Sequence, residues 1–479
     1  MRILAVLVLA LCVLAPATVR ANALDDAFAG LPTPPAQTPV RLITDNHEAW
    51  YARWYVVEAA KKSIDCTYFT VVSDTVGESL IGMLLKKARE GVKIRLMVDS
   101  RGSLGLSVSP LAKDYLPALV HFPNVEVRRY NAFKAQIEHL PSSIKSGIAS
   151  SHSKMLIVDG EWVVAGGRNM ADHWFTAVQD DPLSFHDIDF LAHGTEIGAQ
   201  AKRAFEDEFN ALTSLPVKPH SDAAFEKASA FLEKVRRNTE GLMNGTVVPG
   251  AASTELLKFA SMNRYASFKP FPDDATAPLA LLGKHSAANP IRNPITDSLL
   301  SLINAAQTEL TIAHAYMVLT DRVKAALIAA GKRGVKIQYM TNSPESSESF
   351  LTQARFVKEW PTYLRDIPNL RIIALAANRK LHGKIIVVDG RVSILGSYNM
   401  DPMSETINAE DAAVVKSETF AGNAIAWMNE IRSEGIEYKI RVEADGKITQ
   451  LVGPSDHCKK STLAILKIIS WFDFLRPLI

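Results

Sequence analysis

Cysteine is scarce in this chain of 479 residues: there are three, Cys12, Cys66 and Cys458. That excludes a scaffold stapled by disulfides. Cys66 lies in the apolar pattern IDCTYFTVV and reads as a small packed hydrophobe rather than as half of a bridge to Cys458. An excess of charge of one sign is also missing, since 53 Lys and Arg face 51 Asp and Glu for a formal net charge of +2. A dedicated nucleic-acid binder usually carries a global basic field, and this chain has none. No stretch after the N-terminus reaches the roughly 18 uninterrupted apolar residues that a spanning helix needs. What remains is a globular composition, 47% hydrophobic and 22% charged, long enough for two domains that each bury a core.

The N-terminus does hold a short apolar run. Arg2 precedes Ile3 to Ala15, and Ala21-Asn22-Ala23 has the small-x-small form of a signal-peptidase site. Residues 1–23 are therefore expected to be a signal peptide, and the mature protein an exported one, periplasmic or secreted and peripheral to a membrane at most. Leu11 stands where a lipoprotein signal before Cys12 wants a small residue. Residues 24–41, rich in Pro and small side chains, predict an extended lead-in.

From there the chain says the same thing twice. WYARWYVVEAAKKS has helical periodicity and IDCTYFTVV follows as a strand; the helix ESLIGMLLKKAREG then ends at Gly91 before the strand VKIRLMVDS. The second half repeats the order as DSLLSLINAAQT, ELTIAHAYMVL, DRVKAALIAAGKRG and VKIQYMTNS. This is an internal duplication. It predicts two similar α/β domains, each a mixed β-sheet flanked by helices, over residues 42–215 and 291–479. Residues 216–290, with many Pro and Gly and little sustained period, are expected to connect them.

Each half carries one polar motif around a buried strand. SHSKMLIVDGEWVVAGGRN (151–169) is answered by LHGKIIVVDGRVSILGSYN (381–399). His152, Lys154, Asp159 and Asn169 thus recur at the same spacing as His382, Lys384, Asp389 and Asn399. One bare H-x-K-x4-D arises by chance in roughly a few per cent of chains this long, but two in register with a duplication do not. Residues i and i+2 of a strand share a face, so each His projects with its Lys. Asp159 and Asp389, each followed by Gly, predict a turn into a second strand that brings the Asn back beside them. In that place the aspartates anchor the turn.

Two histidines, two lysines and two amides, with no carboxylate cluster at metal spacing, suit phosphodiester chemistry without a metal or other cofactor. Lysines and amides can hold the phosphoryl oxygens. One neutral imidazole can attack phosphorus while a protonated one serves the leaving alkoxide. The residues alone leave open which histidine does which.

The paired motifs resemble the phospholipase D superfamily, with its duplicated HxKxxxxD and downstream G-[GS]-x-N. GGRNMADHWF, FHDIDF and NMDPMSETINAE are similar to the bacterial cardiolipin synthase branch. The resemblance implies two phospholipase D-type domains with the active site at their interface, His152 as nucleophile through a covalent phosphohistidine, and His382 as acid and then base. It also implies that each histidine is held by an acidic residue after its own motif. Asp187 and Glu410 fit those places, and Ser397 could add a hydroxyl to the phosphate where Gly167 cannot. A glycerophospholipid at a membrane surface is the implied substrate, with the phosphatidyl group passing to water or an alcohol. The site is expected to be complete within one chain.

A phospholipase D-type nuclease is the alternative, but it calls for a basic, aromatic-lined groove that the near-neutral charge argues against. His47, His173, His186, His193 and His314 lie near motif segments and read as ordinary satisfied side chains. His139 falls in a loop before the first motif. The apolar ending STLAILKIISWFDFLRPLI suits either a closing helix or a membrane interface.

Overall fold

The computed structural model describes residues 23–103, 106, 114–132, 144–247, 258–259, 261–272, 275–288, 293–375 and 379–478. The N-terminal apolar run with Cys12, and His139, lie outside them. Each half is a mixed α/β sheet built in the same order. In the first, Ser63–Tyr68, Lys93–Asp99 and Val125–Tyr130 run parallel to one another, and Met155–Val158, Trp162–Gly166 and Asp189–His193 continue antiparallel from Ser63–Tyr68. In the second, Glu309–His314, Lys336–Asn342 and Leu370–Leu375 are parallel, with Lys384–Val388, Val392–Gly396 and Glu410–Lys416 added antiparallel.

Local chemistry explains the repeated elements. Asp45 and Asp74 cap the helices Asn46–Ala59 and Thr75–Arg89 with their side chains, and Asn293 and Thr320 do the same for Pro294–Ala305 and Asp321–Lys332. Gly91 and Gly334 end the equivalent helices at φ +84° and +91°, which a side chain would resist.

Two expectations need correction. Residues 24–41 are not an extended lead-in: residues 23–29 are helical, and Leu24 and Phe28 are buried in the second half's core. The strand Ala36–Ile43 then pairs Ala36–Pro39 with the second sheet and Val40–Ile43 with the first. This one strand joins the two sheets into a continuous ladder. Its alternation is hidden in the sequence by prolines and small residues. Nor do residues 216–290 only connect. Asp222–Met243 is a helix on Thr75–Arg89, burying Phe225, Ala228, Leu232 and Arg236 at helical spacing among many charges. Thr276–Lys284 pairs along Glu410–Lys416 as a strand of the second sheet.

Burial is organised in three layers. Two apolar cores lie on the outer faces of the two sheets, under the helices that follow each first strand. The third lies between the halves, where Met155, Ile157 and Phe190 meet Ile385, Val387 and Leu395, with the helices Thr195–Phe209 and Glu418–Arg432 packed into it. That shared core holds the two motif strands in fixed relation. Cys66 and Cys458 are both buried and free. Among the described residues no helix is long and apolar enough to cross a membrane.

Candidate active site

The strand carrying the first motif runs Met155–Val158 and turns at Asp159 and Gly160, whose φ values are +55° and +72°; Asp389 and Gly390 repeat this at +51° and +64°. The Asp159 carboxylate accepts hydrogen bonds from the backbone N–H groups of Lys61, Lys62 and Ser63 at 2.7 to 3.2 Å. Asp389 does the same for Gln307, Thr308 and Glu309. Both aspartates therefore tie the turn to the start of the neighbouring strand, at the end of their own strand away from the histidines. They are motif members that hold the fold.

The other ends of the two strands meet across the halves. The His152 N–H donates to the Ala409 carbonyl at 2.9 Å, and the Ala409 N–H to Ser150 at 2.8 Å. In the same manner Lys380–Leu381 pairs with Phe185–His186, and the His382 N–H donates to the His186 carbonyl at 2.8 Å. These crossings decide which carboxylate each histidine receives. His152 Nδ1 lies 2.9 Å from Glu410 Oε2, and His382 Nδ1 lies 2.7 Å from Asp187 Oδ2. The expectation that each histidine is held by the acid after its own motif is thus corrected: each is held by the acid of the other half. A spacing argument follows the chain and cannot see a backbone exchange between duplicated units.

With Nδ1–H committed to a carboxylate, each imidazole turns Nε2 outward. Among the described residues neither Nε2 has a protein partner, and neither is a buried orphan. Lys154 and Lys384 are buried beside them, each donating to the carbonyl of its own motif histidine at 2.5 Å, and neither forms an ion pair among the described residues. The Asn169 carbonyl oxygen accepts from the Thr70 N–H at 3.2 Å, whereas Asn399 Oδ1 is buried and unpartnered. Both amides are buried.

Burial dominates the electrostatics of both histidines. Burial pushes His152 down to about 4 despite Glu410, which favours the cation. Burial and then Lys384 also lower His382, with Asp187 opposing them. Burial, followed by mutual repulsion with Lys384, brings Lys154 down to about 7, and burial lowers Lys384 as well. Asp187, although buried, is drawn down to about 2, chiefly by His382. Two buried lysines that form no ion pair among the described residues make a place for an anion.

Ser397 does not face this place. Its hydroxyl donates to Glu410 Oε2 at 2.5 Å, which corrects the expectation that it reaches the phosphate. The strand return that positions Asn399 also lays Ser397 along Asp411, whose N–H donates back to its hydroxyl at 3.0 Å. At the equivalent Gly167 a Cβ would stand 2.0 Å from Asp187 Oδ1, so the shorter acid there fills the space of a side chain.

Several neighbours escaped the sequence reading. Ser404 donates to Glu410 Oε1 at 2.7 Å. Trp174 and Phe185 set their rings against His382, with centroids at 5.3 and 5.4 Å, and Phe69 lies edge-on to His152 at 4.9 Å with Lys154 over its face. Asn342 clamps Leu381 by two hydrogen bonds of 2.7 Å. Trp174 and Ser404 occupy the same offset, five residues after Asn169 and Asn399, so aligning the halves could have marked them as a point of difference. Of the other histidines, His314 is buried with Nδ1 unpartnered, His186 contributes its carbonyl, and His173 and His193 sit beside Asp181 and Glu161. His47 is buried within its helix. Among the described residues no three His, Cys, Asp or Glu side chains converge as metal ligands would.

The chain is similar to known proteins. The family model described as cardiolipin synthase, PLD-like domain, matches residues 56–207 and 299–432, more than half of the chain, with one motif histidine in each stretch. Cardiolipin synthase C of Escherichia coli is 26% identical over 425 residues, covering 81% of this chain and 83% of that protein. Cardiolipin synthase A of Pseudomonas aeruginosa is 22% identical over 413 residues, covering 84% and 69%. Among solved structures, a phosphatidylserine synthase of Haemophilus influenzae superposes with a TM-score of 0.63 at 12% identity, over 95% of this chain and all of that one.

Proposed function

Because the chain belongs to the cardiolipin synthase, PLD-like family, we propose that it is a phosphatidyltransferase that works through a phosphohistidine on His152. The observation that carries this reading is the crossed pair of carboxylate-held histidines, each with an outward Nε2, around two buried lysines that form no ion pair among the described residues.

In the first step His152 Nε2 attacks the phosphorus of a glycerophospholipid, the bond to the head-group oxygen breaks, and His382 gives its Nε2 proton to the leaving alkoxide. Lys154, Lys384 and the two amides hold the phosphoryl oxygens as charge builds. In the second, an acceptor hydroxyl gives its proton to His382, its oxygen attacks phosphorus, and the bond to His152 breaks. The phosphatidyl group leaves on the acceptor. An alcohol acceptor, the glycerol of a second lipid, accords with the two cardiolipin synthases among the relatives; water would yield phosphatidic acid.

The assignment of His152 rests on the unequal support of the two rings. Burial keeps His152 neutral at pH 7, and Glu410, which opposes this, also accepts from Ser397 and Ser404. Asp187 gives one oxygen to His382 and the other to the Ile188 N–H at 2.8 Å. The anion arriving at the lysines favours the protonated form of His382. Export by the N-terminal signal would place this chemistry outside the cytoplasm.

Incubation with mixed phospholipids, with and without a primary alcohol, followed by product mass spectrometry, tests the reading. Cardiolipin or a phosphatidyl-alcohol, formed equally with a chelator present, is the expected result. Cleavage of oligonucleotides with all lipids untouched would overturn it.

A further inference from the structure

The C-terminal helix Lys460–Ile469 buries Leu463 and Leu466 against the helix Phe350–Asp366, yet its outer face is not polar. Ile465 and Ile468 are 51% and 54% exposed, and the chain continues with Trp471 at 76%, Phe472 at 48% and Phe474 at 72%. Phe350 and Leu351, at the start of the neighbouring helix, are 58% and 44% exposed. A contiguous group of large apolar side chains is uncommon on a surface that faces only water.

Its position ties it to the site. The segment from Asn342, whose side chain clamps Leu381 beside His382, leads through Glu348 directly into Phe350. Glu348 accepts a hydrogen bond from Tyr316 and acts electrostatically on both His382 and Lys384. Two residues of chain span about 7 Å at most, so the apolar patch begins next to the rim of the site. On its other side, Asp473–Leu478 packs on Pro402–Thr406, the short helix that carries Ser404 to Glu410. Glu345 of the same segment accepts from the Lys459 N–H at 2.9 Å, tying the site loop to the start of the terminal helix.

Charge selects the occupant. Asp473 is taken up by Arg355 and Lys358, and Glu359 by Arg355 and Arg476. Lys459, Lys460 and Lys467 are exposed and, among the described residues, without carboxylate partners. Aromatic and aliphatic side chains set among free lysines match the boundary between acyl chains and anionic head groups. We propose that this C-terminal face docks the protein on an anionic lipid bilayer, with Trp471, Phe474 and Ile468 entering the head-group boundary and the site rim held against it. This rests on the reading that the substrate is a phospholipid, and it names the surface that would present one.

The test uses the full chain in a His152→Ala background, so that docking is read without turnover. Co-sedimentation with vesicles of phosphatidylglycerol and phosphatidylcholine compares it with the same chain carrying Ile468→Ser, Trp471→Ser and Phe474→Ser. The expected result is binding weakened by about tenfold or more. The three serines placed in the otherwise wild-type chain should leave hydrolysis of a short-chain phosphodiester, below its critical micelle concentration, unchanged. As a second measurement, vesicles with brominated acyl chains should quench tryptophan fluorescence, and Trp471→Phe should remove most of that quenching while keeping the binding. Equal vesicle binding with and without the serines would overturn the proposal, as would a change from dimer to monomer with binding intact, which would make the patch an interface between copies. Docking that survives while no lipid is ever turned over would overturn the catalytic reading instead.

Discussion

The two halves of the site are built alike and tuned differently. Around His152 a glutamate is shared with two serine hydroxyls, Ser397 and Ser404, and the imidazole sits at about 4. Around His382 an aspartate fills the space of a missing side chain at Gly167, among the described residues no hydroxyl donates to it, and Trp174, at the offset of Ser404, sets its ring against the imidazole. Duplication supplied two equivalent histidines. In the proposed reading, the small differences around the carboxylates assign one histidine the attack on phosphorus and the other the proton transfer.

The largest expected effects break this pair one side at a time. Replacing His152 with Ala should remove turnover of any phosphodiester. His382→Ala should abolish turnover of natural lipids but retain a measurable burst with a nitrophenyl ester, whose leaving group needs no proton. Equal loss on both substrates in both variants, measured by stopped-flow absorbance, would remove the distinction. Next, Gly167→Ala should cost about 10²-fold or more in kcat/KM by driving Asp187 off His382, while Ser397→Ala at the equivalent place costs only a few-fold.

A smaller effect concerns pH. With His152 acting neutral and His382 acting protonated, kcat/KM should peak on the acid side of neutrality. Asp187 raises His382, so Asp187→Asn should move the alkaline limb to lower pH. Glu410 raises His152, so Glu410→Gln should move the acid limb to lower pH. A pH–rate series on the three enzymes checks both signs. Stability follows the same linkage. His152 falls from 6.5 in the open chain to about 4 in the fold, so its contribution is full above about 6.5 and is lost as pH falls toward 4. The thermal midpoint of His152→Asn should therefore decline less over that window. Smallest in activity, Asp159→Ala and Asp389→Ala should each lower stability by about 1–3 kcal/mol through unmet backbone donors with kcat little changed, as denaturant titration beside the assay would show.

Much of this was legible in the sequence. The duplication, the mixed α/β halves and the Asp-Gly turns follow from periodicity and spacing, because each is set within a few residues. The crossed carboxylates were not, because Ser150 to His152 pairs with Ala409, and Lys380–Leu381 with Phe185–His186, over more than 190 residues of chain. Ser397 escapes a spacing argument for a related reason: its place in the motif does not say where its hydroxyl turns, and it donates to Glu410. The strand Ala36–Ile43 and the helix Asp222–Met243 were hidden by prolines in one case and by surface charge in the other.

The central claim is that the asymmetry of support makes His152 the nucleophile. Rapid acid-free quenching during turnover of a labelled phospholipid, followed by peptide mass spectrometry, reads this directly. The account predicts a phosphatidyl adduct on the peptide holding His152, and its accumulation in His382→Ala. An adduct on His382, or turnover with none on either histidine, would contradict it.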